Sequence, residues 1–407
     1  MLEIEVLPPR KTDTLYEYQC VVRAGPRTAR EVLRGARSFL ASGSFRCCST
    51  LRFGFEAVNY AIRHDRCWDS IYPLMYLTRN GGPLFNRNRG EATIVFRYPI
   101  LAAVRDFYVR RAANMGLRIE VEASVYDATA SLATDGHVLA FGGGKESRMI
   151  LGTLRELGRA PVIVTAGAEN VRDLPGALVA NSLSGVLADR VMPALMCLGR
   201  HFYFGSGLGG AHRRSPWQQY FDWGSPQALR ELSALLAELG IDMHAEAPAS
   251  ALPYNIVQRI LFERYPQLYR HQNSVPKDER SQKNLHVALC KLHHGIPFQD
   301  HCSEALFAEL AGEFVEQQTS KPMDFGYRGH REVINREMRA IIFARRSDSR
   351  FGTLRSRIPE VWAGPWIDYI HTYVAPQIDE GFLKIYREYA CPIDEIPSPE
   401  AVWRIQV

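Results

Sequence analysis

The chain has 407 residues, 46% of them hydrophobic and 23% charged, which is the composition of a soluble globular protein with room for two or three hydrophobic cores. A net charge of +5 is too mild to demand nucleic acid, although it suits anionic substrates such as nucleotides. The eight cysteines show no CxxC spacing and no framework of a small secreted domain, Glu3 and Glu5 stand where a secretory leader would carry base, and no apolar run approaches bilayer length. These features predict a cytoplasmic protein with reduced thiols and no membrane segment.

In chain order, Leu2 to Leu7 alternates as a strand does, and Glu17 to Arg23 has similar character. Arg27 to Phe39 has helical spacing, Glu91 to Arg97 reads as a strand, and Ile100 to Met115 as a helix. The rhythm then changes. Val138 to Phe141 is a short apolar run, a helix pattern follows from Ser147, and Gly158 stops it. Pro161 to Thr165 is a β-branched run, Pro175 to Leu187 has a helix pattern, and Arg200 to Phe204 reads as a further strand. Strand, helix, strand, helix, strand predicts a parallel sheet wrapped by helices. From residue 216 onward helical spacing dominates: Pro226–Leu239, Ala251–Tyr265, Gln282–His293, Ser303–Gln318, His330–Phe343 and Pro365–Ala390, with a polar loop at Asn273–Arg280. The expected organisation is an N-terminal α+β domain over 1–125, an α/β domain with a parallel sheet over 126–300, and a helical C-terminal region over 301–407.

Between the apolar run and its helix stands Phe141-Gly-Gly-Gly-Lys-Glu-Ser147. Glycines let backbone N–H groups approach a ligand, and the start of the following helix adds its dipole and unpaired donors. Lys145 adds a positive charge and Ser147 a hydroxyl, which makes this an anion site and most naturally a phosphate site. Glu146 fits beside phosphates if it faces a bridging Mg²⁺. The loop is not a Walker loop, because Leu139 and Glu146 occupy positions where that motif needs glycine and Ser or Thr. A plain glycine-rich turn is the bland alternative.

Gly142-Gly-Gly-Lys-Glu-Ser147 resembles the Ser-Gly-Gly-x-Asp-Ser loop of the PP-loop, or N-type, ATP pyrophosphatases. Phe-Gly-Gly-Gly-Lys-[Asp/Glu]-Ser is similar to the subgroup that contains the ATP-dependent UDP-N-acetylmuramoyl-L-alanyl-L-glutamate epimerases. Gln218-Gln-Tyr220, Ala251-Leu-Pro-Tyr-Asn-Ile256 and Ser281-Gln-Lys-Asn-Leu-His286 follow in the expected order. Gly142 replaces the family's usual serine and Glu146 its aspartate. The late cysteine-rich knuckle of those relatives is reduced here to Cys290, with Ser281 and Asn284 in the comparable stretch. The resemblance implies a PP-loop fold and adenylation of a carbonyl or carboxylate oxygen of a small, anionic or carbonyl-containing molecule, with release of pyrophosphate and AMP. It implies ATP and Mg²⁺ as cofactors. Phe141, Gly142, Gly143, Gly144, Lys145 and Ser147 would hold the phosphates and Glu146 the metal. Thr165 and Ala166 would wall the adenosine, and Gly205, Ser206 and Gly207 would close the crevice from the next strand end. Catalytic roles fall to Lys145, Glu146, Ser147 and Cys290. The second step is left open among substitution, epimerisation and sulfur transfer through a cysteine, and a non-catalytic nucleotide-binding module and a homo-oligomer also stay open.

Three other patterns compete. Gly205-Ser-Gly-Leu-Gly-Gly210 matches GxGxxG formally, but Pro216 and the basic pair Arg213-Arg214 argue for a loop rather than the helix a dinucleotide fingerprint needs. Cys290, His293, His294, His301 and Cys302 carry zinc-ligand chemistry at no standard spacing, so packing is the simpler reading. Arg213, Arg214, Arg280, Lys283 and Lys291 are cations that could meet an acidic substrate or lie solvated.

Overall fold

The computed structural model describes residues 2–12, 15–36, 38–42, 55–59, 65–78, 91–114, 116–127, 136–165, 168–180, 199–205, 213–215, 218–219, 226–252, 254–272, 280, 282–300, 302–320 and 378–389. The chain opens with four strands, β1 (Leu2–Val6), β2 (Arg10–Lys11), β3 (Leu15–Ala24) and β4 (Arg27–Ala36). Leu2, Ile4 and Val6 alternate inward on β1, and Tyr16, Tyr18, Cys20 and Val22 do so on β3. A two-residue turn, Gly25-Pro26, joins β3 to β4, and Gly25 takes the left-handed φ of +58° that such hairpin turns need.

That hairpin corrects the helix expected over 27–39. Ten consecutive residues of β4 pair with β3, from Arg27 opposite Ala24 to Ala36 opposite Leu15. Leu33 is buried while its neighbour Val32 is 42% exposed, which is strand alternation. The pairing offered by a long neighbouring strand overrode the helical spacing.

Next come β5 (Ser38–Ser42), β6 (Phe55–Asn59), α1 (Asp65–Thr78), β7 (Glu91–Phe96), β8 (Ile100–Leu101), α2 (Ala102–Asn114), β9 (Arg118–Glu122) and β10 (Val125–Tyr126). The first sheet has the order β2-β3-β1-β7-β9, with β4 added on β3. β7, α2 and β9 form a parallel crossover. α1 covers the inner face, where Asp69 accepts hydrogen bonds from Tyr18 Oη (2.9 Å) and Lys11 Nζ (2.8 Å).

The chain continues with β11 (His137–Ala140), α3 (Lys145–Glu156), β12 (Val162–Thr165), β13 (Leu178–Ala180), β14 (His201–Phe204), the separate antiparallel pair β15 (Arg213–Ser215) and β16 (Gln218–Gln219), α4 (Pro226–Glu238) and β17 (His244–Glu246), and all of these strands except β15 and β16 belong to a second sheet. Its order is β17-β14-β11-β12-β13-β5-β6. The first five strands are parallel, and β5 and β6 from the N-terminal third close that edge antiparallel. From β11 the chain first adds β12 and β13 on one side and later β14 and β17 on the other. The direction of growth therefore reverses between β11 and β14. The architecture is α/β.

β13 corrects the helix expected over 175–187. Gly176 sits at φ +81°, and Leu178 and Val179 pair in parallel with Val164 and Thr165, so the apolar residues serve a sheet already half formed. Residues 181–187 lie outside the described residues.

Both faces of the sheet are covered, which explains its unbroken apolar runs. Leu139, Phe141, Ile163, Val179 and Tyr203 pack on one side, with α3, while Val138, Ala140, Val164, Leu178, Phe202 and Ala245 pack on the other, with α4. The remaining helices are α5 (Tyr254–Glu263), α6 (Pro266–Tyr269), α7 (Gln282–His293), α8 (Glu304–Ser320) and α9 (Glu380–Tyr389). Gly152 lets α3 approach the Tyr265 ring so closely that a Cβ there would lie 2.6 Å from ring carbons. The last helix docks on the end of α3 through Arg159–Asp379 (2.7 Å) and the buried Phe382, and on the end of α5 through an Arg264–Glu388 ion pair. The helix expected over 330–343 and residues 365–377 of the last expected helix lie outside the described residues. Among the described residues no helix is long and apolar enough to cross a membrane.

Candidate functional site

The reversal between β11 and β14 falls at the carboxyl ends of two adjacent parallel strands, the place where open α/β sheets take ligands. Phe141 leaves β11 with its ring buried, and its N–H donates to the Val164 carbonyl on β12 (2.8 Å). Gly142 follows on the exposed side of the turn, and Gly143 is buried with φ +71°, a conformation that side-chain-bearing residues enter at a cost. Gly144 is the N-cap of α3, extended at φ −79° and ψ 178°, and no side chain caps the helix start. The helix start therefore lacks the serine or aspartate cap that ordinarily serves the first-turn donors.

Lys145 is buried, at 5% exposure, and its ammonium is engaged: Nζ lies 2.8 Å from Glu146 Oε1 and 3.9 Å from the centre of the Tyr254 ring. The Ser147 hydroxyl donates to the Gly144 carbonyl (3.2 Å), which tightens the first turn. Gly205, just past β14, runs against that turn. A Cβ at 205 would stand 3.0 Å from Ser147 Cβ, so glycine here has a packing reason in the close approach of strand end to helix start. Thr165, at the end of β12, is fully buried, and its Oγ1 accepts from Asn170 Nδ2 (3.1 Å). The structure therefore brings Phe141 to Ser147, Thr165 and Gly205 to three neighbouring strand ends. Ala166, Ser206 and Gly207 lie outside the described residues.

Cys290 sits elsewhere in character. It is fully buried on α7, with Sγ 3.5 Å from Nε2 of His286 one helical turn earlier. The His286 ring stands edge-on to Tyr254, the ring beneath the Lys145 ammonium. A buried file thus leads from Lys145 through Tyr254 and His286 to Cys290. Cys302 is also buried, and its Sγ donates to the Ser303 carbonyl. Among the described residues no group of three His, Cys, Asp or Glu side chains could hold a metal ion.

Of the candidate cations, Lys291 is buried in an ion pair with Asp300 (2.7 Å) against the Phe262 and Tyr269 rings, and Arg280 pairs with Glu309 and Glu313. The side chains of Arg213, Arg214 and Lys283 are outside the described set. After the GxGxxG match, the first described segment is the strand β15, not a helix.

Two residues escaped the sequence reading. Arg148, on the first turn of α3, is 1% exposed. Its Nε donates to the Gly143 carbonyl (3.1 Å), and its two terminal nitrogens grip Asp173 (2.7 and 3.0 Å). Burial raises the Asp173 carboxyl, but the hydrogen bonds and charge of Arg148 outweigh it and hold the group below its ordinary value. The available signal was that Arg148 is the one charge between Ser147 and Leu154, in a stretch of α3 whose other residues are uncharged. Glu246 on β17 is equally buried, and burial pushes its carboxyl up to about 8. The His-Ala-Glu sequence of that strand carries no comparable signal.

In comparison with known proteins, no family model matches the chain, and no curated protein or solved structure matches it.

Proposed function

We propose that the protein is an ATP-dependent adenylating enzyme of the PP-loop kind, acting in the cytoplasm on a small molecule. The observation that carries this reading is a glycine loop with a left-handed Gly143 and a helix start without a side-chain cap, set at the strand ends where the sheet reverses. Backbone donors and a helix dipole aimed at one point stabilise an anion whose charge grows, as that of departing pyrophosphate does. In the reaction, a carbonyl or carboxylate oxygen of the substrate attacks the α-phosphorus of ATP. The α–β bridging bond breaks, AMP is joined to the substrate, and pyrophosphate leaves with the bond's electron pair. A nucleophile or a base then acts on the activated substrate and releases AMP.

Lys145 and Glu146 neutralise each other at the mouth of the loop. Phosphate would draw the ammonium from Glu146, and the freed carboxylate would hold Mg²⁺. The residues fit such an ion only in company with phosphate oxygens, since Glu146 is the one carboxylate of the loop. Nucleotide-borne Mg²⁺ is ordinarily bound in this way, and it would supply charge neutralisation on the pyrophosphate. Thr165 would wall the nucleoside side.

The test is to supply ATP, Mg²⁺ and candidate acids and separate the products. AMP with pyrophosphate supports the reading. ADP with phosphate overturns it, and so does failure of the protein to bind ATP. Binding without turnover across a broad panel of acids would favour a nucleotide-binding module instead.

A further inference from the structure

We infer that Arg148 is the positioning residue of the anion loop, holding the Gly143–Gly144 peptide so that its N–H faces the ligand side; this rests on the nucleotide reading of the loop. A trans peptide points its C=O and the following N–H in opposite directions. The Gly143 carbonyl is turned inward onto Arg148 Nε at 3.1 Å, and Gly143 is itself buried. The partner N–H, that of Gly144, therefore faces away from the guanidinium, to the other side of the loop. Gly144 is also the N-cap, so this donor stands at the head of the α3 dipole.

The guanidinium cannot drift, because its planar fork closes on both oxygens of Asp173, and Nη2 lies 3.5 Å from the Asn170 carbonyl. The guanidinium carbon also lies 5.3 Å from the centre of the Phe141 ring. Asn170 in turn holds Thr165 at the end of β12. One side chain thus ties the phosphate loop to the segment 170–173, while Thr165 itself is held in β12. Lysine would keep the charge near Asp173 but has no fork with which to serve the carbonyl and the carboxylate together.

The experiment compares wild-type protein with Arg148→Lys and Asp173→Asn. Backbone amide exchange is followed over residues 142–147 and, as a reference, over 162–165. Affinities for ATP, inorganic pyrophosphate and AMP are measured with Mg²⁺. In Arg148→Lys, exchange should quicken in 142–147 and stay unchanged in 162–165. ATP and pyrophosphate should weaken by about tenfold, the loss of one charge-assisted hydrogen bond, while AMP stays within about twofold. A merely structural role would loosen both segments and weaken all three ligands alike, and that result overturns the inference. So does an Arg148→Lys protein with wild-type loop exchange. If Arg148→Lys does not fold, Asp173→Asn keeps the Nε bond and frees the fork; a smaller change confined to 142–147 supports the inference, and none refutes it. Failure of the wild-type protein to bind ATP or pyrophosphate sinks the nucleotide reading, and the exchange data then judge Arg148 alone.

Discussion

Replacing Glu246 with glutamine should remove a pH dependence that burial builds into this fold. Glu246 lies beside Tyr203 in the sheet at 2% exposure, with the Arg159–Asp379 pair and Tyr386 around it. It accepts the Asp379 backbone N–H, while its Oε2 has no hydrogen-bond partner among the described residues. Burial pushes the carboxyl from the ordinary 4.5 to about 8; the Asp379 carboxylate adds to the rise, and the Asp379 N–H and Arg159 only partly offset it. Between those values the folded chain keeps a proton that the unfolded chain releases. The stabilisation is therefore full below about pH 4.5 and is lost as pH climbs toward 8. At about 1.4 kcal/mol per pH unit, the loss is capped at about 5 kcal/mol. Glutamine has no proton to lose and still offers an oxygen to the Asp379 N–H. Its unpartnered amide costs about 1–3 kcal/mol, which displaces the whole curve without tilting it. The assay is urea unfolding of both proteins in half-unit steps from about pH 5 to 8.5. His137 and His201, depressed first by burial and then by neighbouring positive charge (His201 beside His137, His244 beside His201), tilt both curves the opposite way, so the quantity to read is the difference between the proteins. The variant should gain on wild type by about 1.4 kcal/mol per pH unit from about pH 5 and level off above pH 8. A difference that stays flat across the window refutes burial as the governing cause.

Gly143→Ala must place a Cβ at φ +71°, which strains the loop by about 1–2 kcal/mol and should weaken pyrophosphate binding in calorimetry; unchanged affinity would argue against the left-handed turn as the anion cradle. Glu146→Gln should release the Lys145 ammonium and make ATP affinity nearly independent of Mg²⁺, and a variant that still needs the metal would separate Glu146 from it. Gly152→Ala should cost about 1–3 kcal/mol in urea unfolding, since its Cβ meets the Tyr265 ring at 2.6 Å; a neutral result would mean that the ring swings clear. With Cys290 and Cys302 both changed to serine, AMP and pyrophosphate formation should persist, because both thiols are buried; loss of product from a folded double variant would favour sulfur relay through Cys290 and its neighbour His286.

What the sequence made legible is what short-range contacts decide. The run of β11, its glycines, the helix α3 and the stop at Gly158 lie within about twenty residues, and each needs only its neighbours to declare itself. The left-handed Gly158 and the buried β-branched strand β12 follow the same logic. What stayed hidden depends on partners far along the chain. Arg27–Ala36 is a strand because β3 offers ten pairing residues, and Leu178–Ala180 is one because β12 and β5 flank it. β5 and β6 join a sheet whose other strands begin nearly eighty residues later, a pairing that no local pattern encodes. The candidate site divides along the same line. Its donors are written in consecutive glycines, but the side chain that orients them draws its own fixity from Asp173, 25 residues away, and reads in isolation as an ordinary surface charge. A buried arginine that serves a backbone carbonyl and a carboxylate at once is costly to keep and costly to break. That cost makes sense at a loop whose peptide must face one way, and a loop that only turned the chain would not need it.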